Sequence, residues 1–286
     1  MAPRIIHPPQ SLSTPNPLPS PNPTTVPPHI FELNRPPPPA TLFQHQVKPE
    51  IIVALDTTDA RLLHQLLQQL PPEVSWFKVG LELFSARGPD AISGIRSRRP
   101  GAHLMLDLKL HDIPHTVGRA VRALSPLQPD ILTVHAAGGT AMLRTAREAA
   151  ARHIPRCRIA AVTVLTSLDH SDLSVLAPTL SPSRLVLSLA GMARRAGIDT
   201  FVCSVAEAPL LRNELGPDMV TICPGIRPPG SSAADQKRIA TPHDAVRAGA
   251  DFVVVGRCVT SSPNPAAACR TLLQQLAAAG GPRHLR

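Results

Sequence analysis

Aromatic residues are nearly absent from this sequence, which contains no Tyr, one Trp and six Phe among 286 residues. The core must therefore be built mainly from Leu, Val, Ile and Ala, and the hydrophobic content of 43% is enough for a substantial one. The sequence also lacks the RNP-type aromatic motif, the zinc-finger spacing and the dense Lys/Arg tract of common nucleic-acid-binding domains. We therefore predict no nucleic-acid partner.

Acidic residues are fewer than basic ones, 20 against 29, and the formal net charge is +9. This excess suits an anionic ligand, but on its own it is weak evidence for binding to nucleic acid. No uninterrupted apolar run is long enough to span a bilayer, so no association with a membrane is predicted.

The five cysteines include no CxxC pair, and their number is odd. Such usage favours free thiols over a framework of disulfides. We therefore expect the cysteines to be reduced and the protein to be cytoplasmic.

Residues 1–49 differ in composition from the rest of the chain, since Pro, Ser, Thr and Asn dominate in runs such as "STPNPLPSPNPTTVPP". Such a segment buries too little apolar surface to offset the entropy lost on ordering, so a disordered or polyproline II-like extension is predicted. It has no continuous apolar stretch of the kind found in signal peptides. A ligand for a partner protein and a start codon placed too far upstream remain alternatives.

From residue 50 to residue 286, short aliphatic runs alternate with longer amphipathic stretches. The predicted strands are 51–55, 75–80, 103–109, 131–136, 159–165, 200–204, 219–224 and 251–256. The predicted helices are 59–70, 81–98, 116–125, 140–153, 183–197, 206–215, 243–249 and 265–279. Eight such units predict an α/β fold, a closed (β/α)8 TIM barrel that forms one catalytic domain. The alternative is an open doubly wound sheet, but its Gly-rich first turn is missing from "LDTTDA".

The third predicted strand, "HLMLDLKL" at 103–110, carries charges within an apolar run. A period of two places the leucines on one face and Met105, Asp107 and Lys109 on the other. Strands of a parallel barrel are buried on both faces, so the leucines should contact helices while Asp107 and Lys109 point inward. Buried charges are paired or functional, and the stretch therefore predicts an active site.

The other strands end in residues suited to the same site. Asp56 follows the first strand, Lys78 lies near the end of the second, and Thr166 follows the fifth. After the seventh and eighth strands come "PGIRPPGSSAADQKR" and the pair Gly256–Arg257. In this fold the loops after strands seven and eight often hold phosphate, and a long polar loop is typical of a lid. His135 is interpreted as a structural histidine.

The motif "LDLKLHDIPHT" resembles the signature Asp-x-Lys-x-x-Asp-Ile-Pro-x-Thr of the orotidine 5′-phosphate decarboxylase family. The segments "VALD", "FKVGLELF", "VHAAGG", "AVTVLTS", "CPGIRPPGSSAADQKRIATP" and "VVVGRCVT" are similar to family segments in the same order. The resemblance covers about residues 50–280 and leaves the Pro-rich extension unmatched. Leu110, His115 and Ala137 depart from residues that are common in the family, and none of them replaces an essential charge.

This resemblance implies a homodimeric enzyme that converts orotidine 5′-monophosphate to UMP and CO₂, without a metal or an organic cofactor. It implies that Lys109 donates the proton and that Asp107 and Asp112 complete a charged array. Asp112 and Thr116 would reach into the neighbouring subunit's site. The other substrate contacts it implies are Asp56 and Lys78 at the ribose, Thr166 near the base, and Arg227, Gln236, Gly256 and Arg257 at the phosphate.

Two other functions remain open. Hexulose- or gulonate-phosphate enzymes share the Asp-x-Lys-x-x-Asp pattern but use Mg²⁺ with carboxylate ligands. The loop "PGIR…DQ" and the motif "DIPHT" favour the decarboxylase. A basic, Pro-rich interaction protein is the second alternative, but only Arg4, Glu32, Arg35 and Lys48 are charged within the extension.

Overall fold

The computed structural model describes residues 49–228 and 239–279. Within them, eight strands pair in parallel, each with the next along the chain, and β1 closes on β8. The strands are β1 (Glu50–Ala54), β2 (Trp76–Gly80), β3 (His103–Leu110), β4 (Ile131–His135), β5 (Arg158–Val162), β6 (Thr200–Val202), β7 (Val220–Cys223) and β8 (Phe252–Val255). The closed barrel confirms the predicted TIM fold and is incompatible with the open sheet.

Helices connect the strands and surround the barrel. They are α1 (Ala60–Gln69), α2 (Leu81–Arg87), α3 (Pro89–Arg98), α4 (Pro114–Ala123), α5 (Gly139–His153), α6 (His170–Leu176), α7 (Pro182–Arg195), α8 (Ala208–Leu215), α9 (Pro242–Ala248), α10 (Arg257–Thr260) and α11 (Pro265–Ala279). None of the helices in the described parts of the chain is both long and apolar enough to cross a membrane.

The single helix predicted over 81–98 is wrong, because the structure has two helices there. Gly88 separates α2 from α3 with a φ of 51° and a ψ of −137°, a conformation that residues with a Cβ rarely adopt. Pro89 then occupies the first turn of α3, where its missing N–H costs no hydrogen bond. The spacing of apolar residues continues through this break, which explains why periodicity alone predicted one helix.

Two apolar clusters fill the fold, as the alternation of strand residues requires. The larger one lies between the strands and the helices, and Leu104 and Leu106 belong to it. The smaller one fills the barrel interior and includes Ile52, Met105 and Val254. Both are almost wholly aliphatic, in keeping with the shortage of aromatic residues.

Arg99, which follows α3, holds the segment that joins α1 to β2, at the amino ends of the strands. The guanidinium of Arg99 donates hydrogen bonds to the carbonyls of Leu67, Leu70, Pro71 and Val74, at distances of 2.6 to 3.4 Å. The functional surface is expected at the carboxyl ends of the strands, as is general for this fold.

The predicted boundary near residue 49 stays a prediction. Residues 1–48 lie outside the described part of the chain, and so does segment 229–238 of the predicted lid. The chain on either side of that segment is paired: Arg227 N–H donates to the Ala240 carbonyl at 3.0 Å, and Ala240 N–H donates to Gly225 at 3.2 Å.

Candidate active site

A cavity of about 590 Å³ opens at the carboxyl ends of the strands, a volume in the range of small-molecule sites. Its walls come from residues near the ends of β1, β2, β3, β5, β6 and β8 and from the segments that follow β1, β2, β5, β6, β7 and β8. Eight predicted site residues line it, namely Asp56, Lys78, Asp107, Lys109, Thr166, Arg227, Gly256 and Arg257. Asp56 and Arg257, 201 positions apart in the sequence, thus line the same cavity, because the barrel brings the strand ends together.

The charged side chains in this cavity form a row of alternating sign. Lys78 Nζ lies 2.9 Å from Asp56 Oδ1 and 3.4 Å from Asp107 Oδ2. Lys109 Nζ lies 2.9 Å from Asp107 Oδ1. Each central residue therefore has two neighbours of opposite charge, which offsets the cost of removing it from water.

The row becomes less buried toward its ends. Side-chain exposure is 11% for Lys78 and 10% for Asp107, but 28% for Lys109 and 46% for Asp56. Lys109 is thus fixed at its inner side by Asp107 while its ammonium still reaches the open cavity. An accessible ammonium that is held by a buried carboxylate can deliver a proton to a bound ligand.

The two central groups stay charged near neutral pH. Burial lowers the pKa of Lys78, but the carboxylates of Asp107 and Asp56 outweigh it and hold this pKa above the ordinary 10.5. Burial raises the pKa of Asp107, yet Lys78, Lys109 and a hydrogen bond from Thr133 hold it below the ordinary 3.8. The site therefore presents one fixed ammonium, that of Lys78, and one fixed carboxylate, that of Asp107, where a ligand would bind.

A bulge at the end of β3 positions Lys109. From Leu106 to Leu110 this strand advances four residues, while β4 advances only two, from Leu132 to Val134. Lys109 takes up the distortion with a φ of 49°, in the left-handed region that is uncommon for residues other than glycine. Such strain is concentrated at functional sites. The regular strand assumed from the sequence does not reveal it.

Two residues that sequence reasoning missed support this array. A Cβ on Gly80 would lie 2.7 Å from Lys78 Nζ and 2.9 Å from Asp56 Oδ1, so any larger residue would displace that ion pair. Thr133, fully buried on β4, accepts a hydrogen bond from Lys109 N–H and donates one to Asp107 Oδ1. A glycine two residues after a strand lysine is a usable sequence signal, whereas an inward-facing threonine gives none.

Aliphatic side chains form the inner wall of the cavity. Met105, Val162, Val202 and Val254 line it and belong to the cluster inside the barrel. Part of a ligand that reached the charged row would therefore lie against apolar surface, where electrostatic interactions are stronger than in water.

Three predicted site residues are not brought into this cavity by the described chain. Asp112 and Thr116 are exposed, do not line the cavity, and lie just after β3 and within α4. Asp112 Oδ1 accepts a hydrogen bond from the neighbouring Ile113 N–H at 2.6 Å. Gln236 lies outside the described residues.

His135, which was interpreted as structural, contacts a second histidine at the rim. Its ring centroid lies 5.3 Å from that of His111, which follows β3. Burial lowers the pKa of His135, and the charges of His111 and Lys109 lower it further. The neutral form of His135 is therefore favoured next to the charged row.

Comparison with known proteins agrees with this geometry. The model of the orotidine 5′-phosphate decarboxylase / HUMPS family matches residues 49–272. The chain belongs to this family. The match begins where the described structure begins and spans all eight strands of the barrel.

Individual relatives align with this chain over nearly their full length. Orotidine 5′-phosphate decarboxylase from Thermobifida fusca is 47% identical over 230 residues, which are 80% of this chain and 97% of the relative. The protein of the same name from Moorella thermoacetica is 43% identical over 241 residues, 82% of this chain and 95% of the relative. The crystal structure of orotidine 5′-phosphate decarboxylase from Lactobacillus acidophilus superposes with a TM-score of 0.69 at 35% identity, covering 80% of this chain and 99% of that one.

Proposed function

We propose that this chain is a carboxy-lyase that converts orotidine 5′-monophosphate to UMP and CO₂, a step of pyrimidine nucleotide synthesis. The observation that carries the proposal is the row Asp56–Lys78–Asp107–Lys109, held in a nucleotide-sized cavity of a chain of this family. The relatives at 41–47% identity that carry the decarboxylase name support it.

Lys109 is the proton donor in this proposal. When the bond from C6 to the carboxylate breaks, the electron pair stays on C6 and little resonance is available to spread it. An ammonium at that position stabilises the developing charge and then transfers a proton to C6 as CO₂ leaves. The contact of Lys109 Nζ with Asp107 supports this role, because it fixes the ammonium while leaving it accessible from the cavity.

Asp107 and Asp112 complete the charged array. Asp107 carries a negative charge beside the position of the substrate carboxylate, and departure of CO₂ relieves their repulsion. Asp107 also holds Lys78 and Lys109 in their charged forms through its contacts with both. Asp112 enters from the second subunit, as described below.

The remaining cavity residues bind the nucleotide. Asp56 and Lys78 contact the ribose, and Thr166 lies near the base. Arg227, Gln236, Gly256 and Arg257 hold the phosphate, a role supported for three of them by their position on loops after β7 and β8. Phosphate binding far from C6 supplies energy that holds the base against the charged row.

The functional unit in this proposal is a homodimer. Asp112 and Thr116 reach the active site of the neighbouring subunit, which gives the exposed Asp112 carboxylate a charged surrounding. Ile113, with 65% of its surface exposed, lies directly beside Asp112 and would be covered by the same contact. A cytoplasmic location fits the five free cysteines.

The first experiment follows the absorbance of orotidine 5′-monophosphate with the purified protein, with and without EDTA. Metal-independent conversion to UMP is expected. We expect Lys109→Ala to lower kcat by about 10³-fold or more, since the group that both stabilises and protonates C6 is lost. Arg152→Ala, which removes an exposed charge from the end of α5, is the matched control and should retain full activity.

Two results would contradict the proposal. A folded wild-type protein that leaves orotidine 5′-monophosphate unchanged would rule out the decarboxylase. Conversion that is abolished by EDTA and restored by Mg²⁺ would instead favour the sugar-phosphate enzymes of the superfamily, and pentulose phosphates would then be tested as substrates.

A further inference from the structure

The bulge in β3 has a single residue of β4 opposite it. Leu132 pairs with Leu106 and Val134 pairs with Leu110, so Thr133 alone faces the stretch from Asp107 to Lys109. Without a regular ladder, the backbone groups of that stretch need other partners. The side chain of the facing residue is therefore in a position to decide which conformation the stretch adopts.

The Thr133 hydroxyl bonds to both ends of this stretch. Its oxygen accepts a hydrogen bond from Lys109 N–H at 2.8 Å, and its O–H donates to Asp107 Oδ1 at 3.1 Å. Thr133 has no exposed surface. A buried donor or acceptor that loses its partner is costly, so this pair of bonds constrains the bulge strongly.

We propose that Thr133 is a positioning residue of the active site, whose hydroxyl holds Lys109 in its left-handed conformation and fixes the orientation of the Asp107 carboxylate. Asp107 Oδ1 then accepts from Thr133 and contacts Lys109 Nζ at 2.9 Å, while Oδ2 faces Lys78. This inference rests on the proposed function for its kinetic consequence, but its structural content does not.

Thr133→Val tests the hydroxyl with little change in volume, although it is not a neutral swap in a buried site. We expect kcat for orotidine 5′-monophosphate to fall by about 10- to 100-fold through misplacement of Lys109, with KM changed much less. Thr133→Ser keeps a hydroxyl on the same carbon, and it should recover most of the lost kcat.

Thr163→Val is the matched control. Thr163 is also a buried threonine, its hydroxyl donates to the Val202 carbonyl at 3.1 Å, and it does not line the cavity. The Thr163→Val substitution also removes a buried threonine hydroxyl, so any general loss of stability should appear in both variants. We expect its kcat to match the wild type.

Amide hydrogen exchange supplies a readout that does not depend on activity. The Lys109 amide should be protected in the wild type and in Thr133→Ser, and should exchange faster in Thr133→Val than in Thr163→Val. Equal protection of Lys109 in all four proteins would overturn the proposal, and so would an unchanged kcat in an active Thr133→Val variant. An inactive wild type with the expected exchange pattern would refute only the decarboxylase function.

Discussion

Gly80 illustrates how one residue can shape the charged row without contacting a ligand. It ends β2 with a φ of −91° and a ψ of −177°, which any residue can adopt, so backbone freedom is not the reason for glycine. The reason is space, because a Cβ would lie within 3 Å of both Lys78 Nζ and Asp56 Oδ1.

We expect Gly80→Ala to lower kcat/KM by about tenfold or more, because the added methyl displaces the Lys78–Asp56 pair from its position in the cavity. The unfolding free energy should change by less than about 1 kcal/mol, since the displaced atoms are the ends of side chains that can move. Steady-state kinetics and urea denaturation measure the two effects separately.

The matched control is Gly191→Ala in α7, where the nearest atom to the new Cβ is Arg195 Nη1 at 3.5 Å. It should leave kcat/KM unchanged and should raise the unfolding free energy by about 0.5–1 kcal/mol, as alanine does in a helix. Wild-type kinetics in Gly80→Ala would show that the ion pair tolerates the displacement.

At the scale of the elements, the break between α2 and α3 depends on backbone conformation instead of packing. A Cβ at Gly88 would meet nothing within 4 Å, so substitution there tests conformation alone.

Gly88→Ala is expected to lower the unfolding free energy by about 1–3 kcal/mol, because alanine is strained at a φ of 51° and a ψ of −137°. Gly94→Ala, inside α3, is the control and should be neutral or stabilising. Urea denaturation of the two variants gives the comparison. If Gly88→Ala were as stable as Gly94→Ala, the two helices would not require this turn.

At the scale of the whole molecule, the proposed dimer builds each site from two chains. Mixing unfolded or dissociated Lys109→Ala with Asp112→Ala then creates heterodimers with one intact site, because Lys109 comes from one chain and Asp112 from the other. Random reassociation of a two-fold dimer gives half heterodimers, so about a quarter of wild-type activity should return.

The control for this experiment mixes Lys109→Ala with Asp107→Ala. Both residues belong to the same cavity of one chain, 2.9 Å apart, so no combination restores a complete site and no activity should return. A mixture of Lys109→Ala and Asp112→Ala that stays as inactive as its components would refute the shared site.

The sequence alone was sufficient for the architecture and for the membership of the charged row. Eight alternating β/α units commonly form a closed parallel barrel. In such a barrel the residues at the carboxyl ends of the strands meet at one rim, whatever the details of packing. Asp56, Lys78, Asp107 and Lys109 were therefore predictable as one group. In the structure each of them contacts the next in the row.

What only the tertiary structure decided depends on contacts between distant segments and on backbone conformation that periodicity does not encode. The bulge at Lys109 exists because a β4 threonine satisfies its backbone, and Gly80 leaves space for a carboxylate 24 positions earlier to reach Lys78. The turn at Gly88 is equally invisible to a count of apolar spacing. Sequence pattern determines which faces are buried, but the exact place of each charge follows from hydrogen bonds made after the barrel has closed.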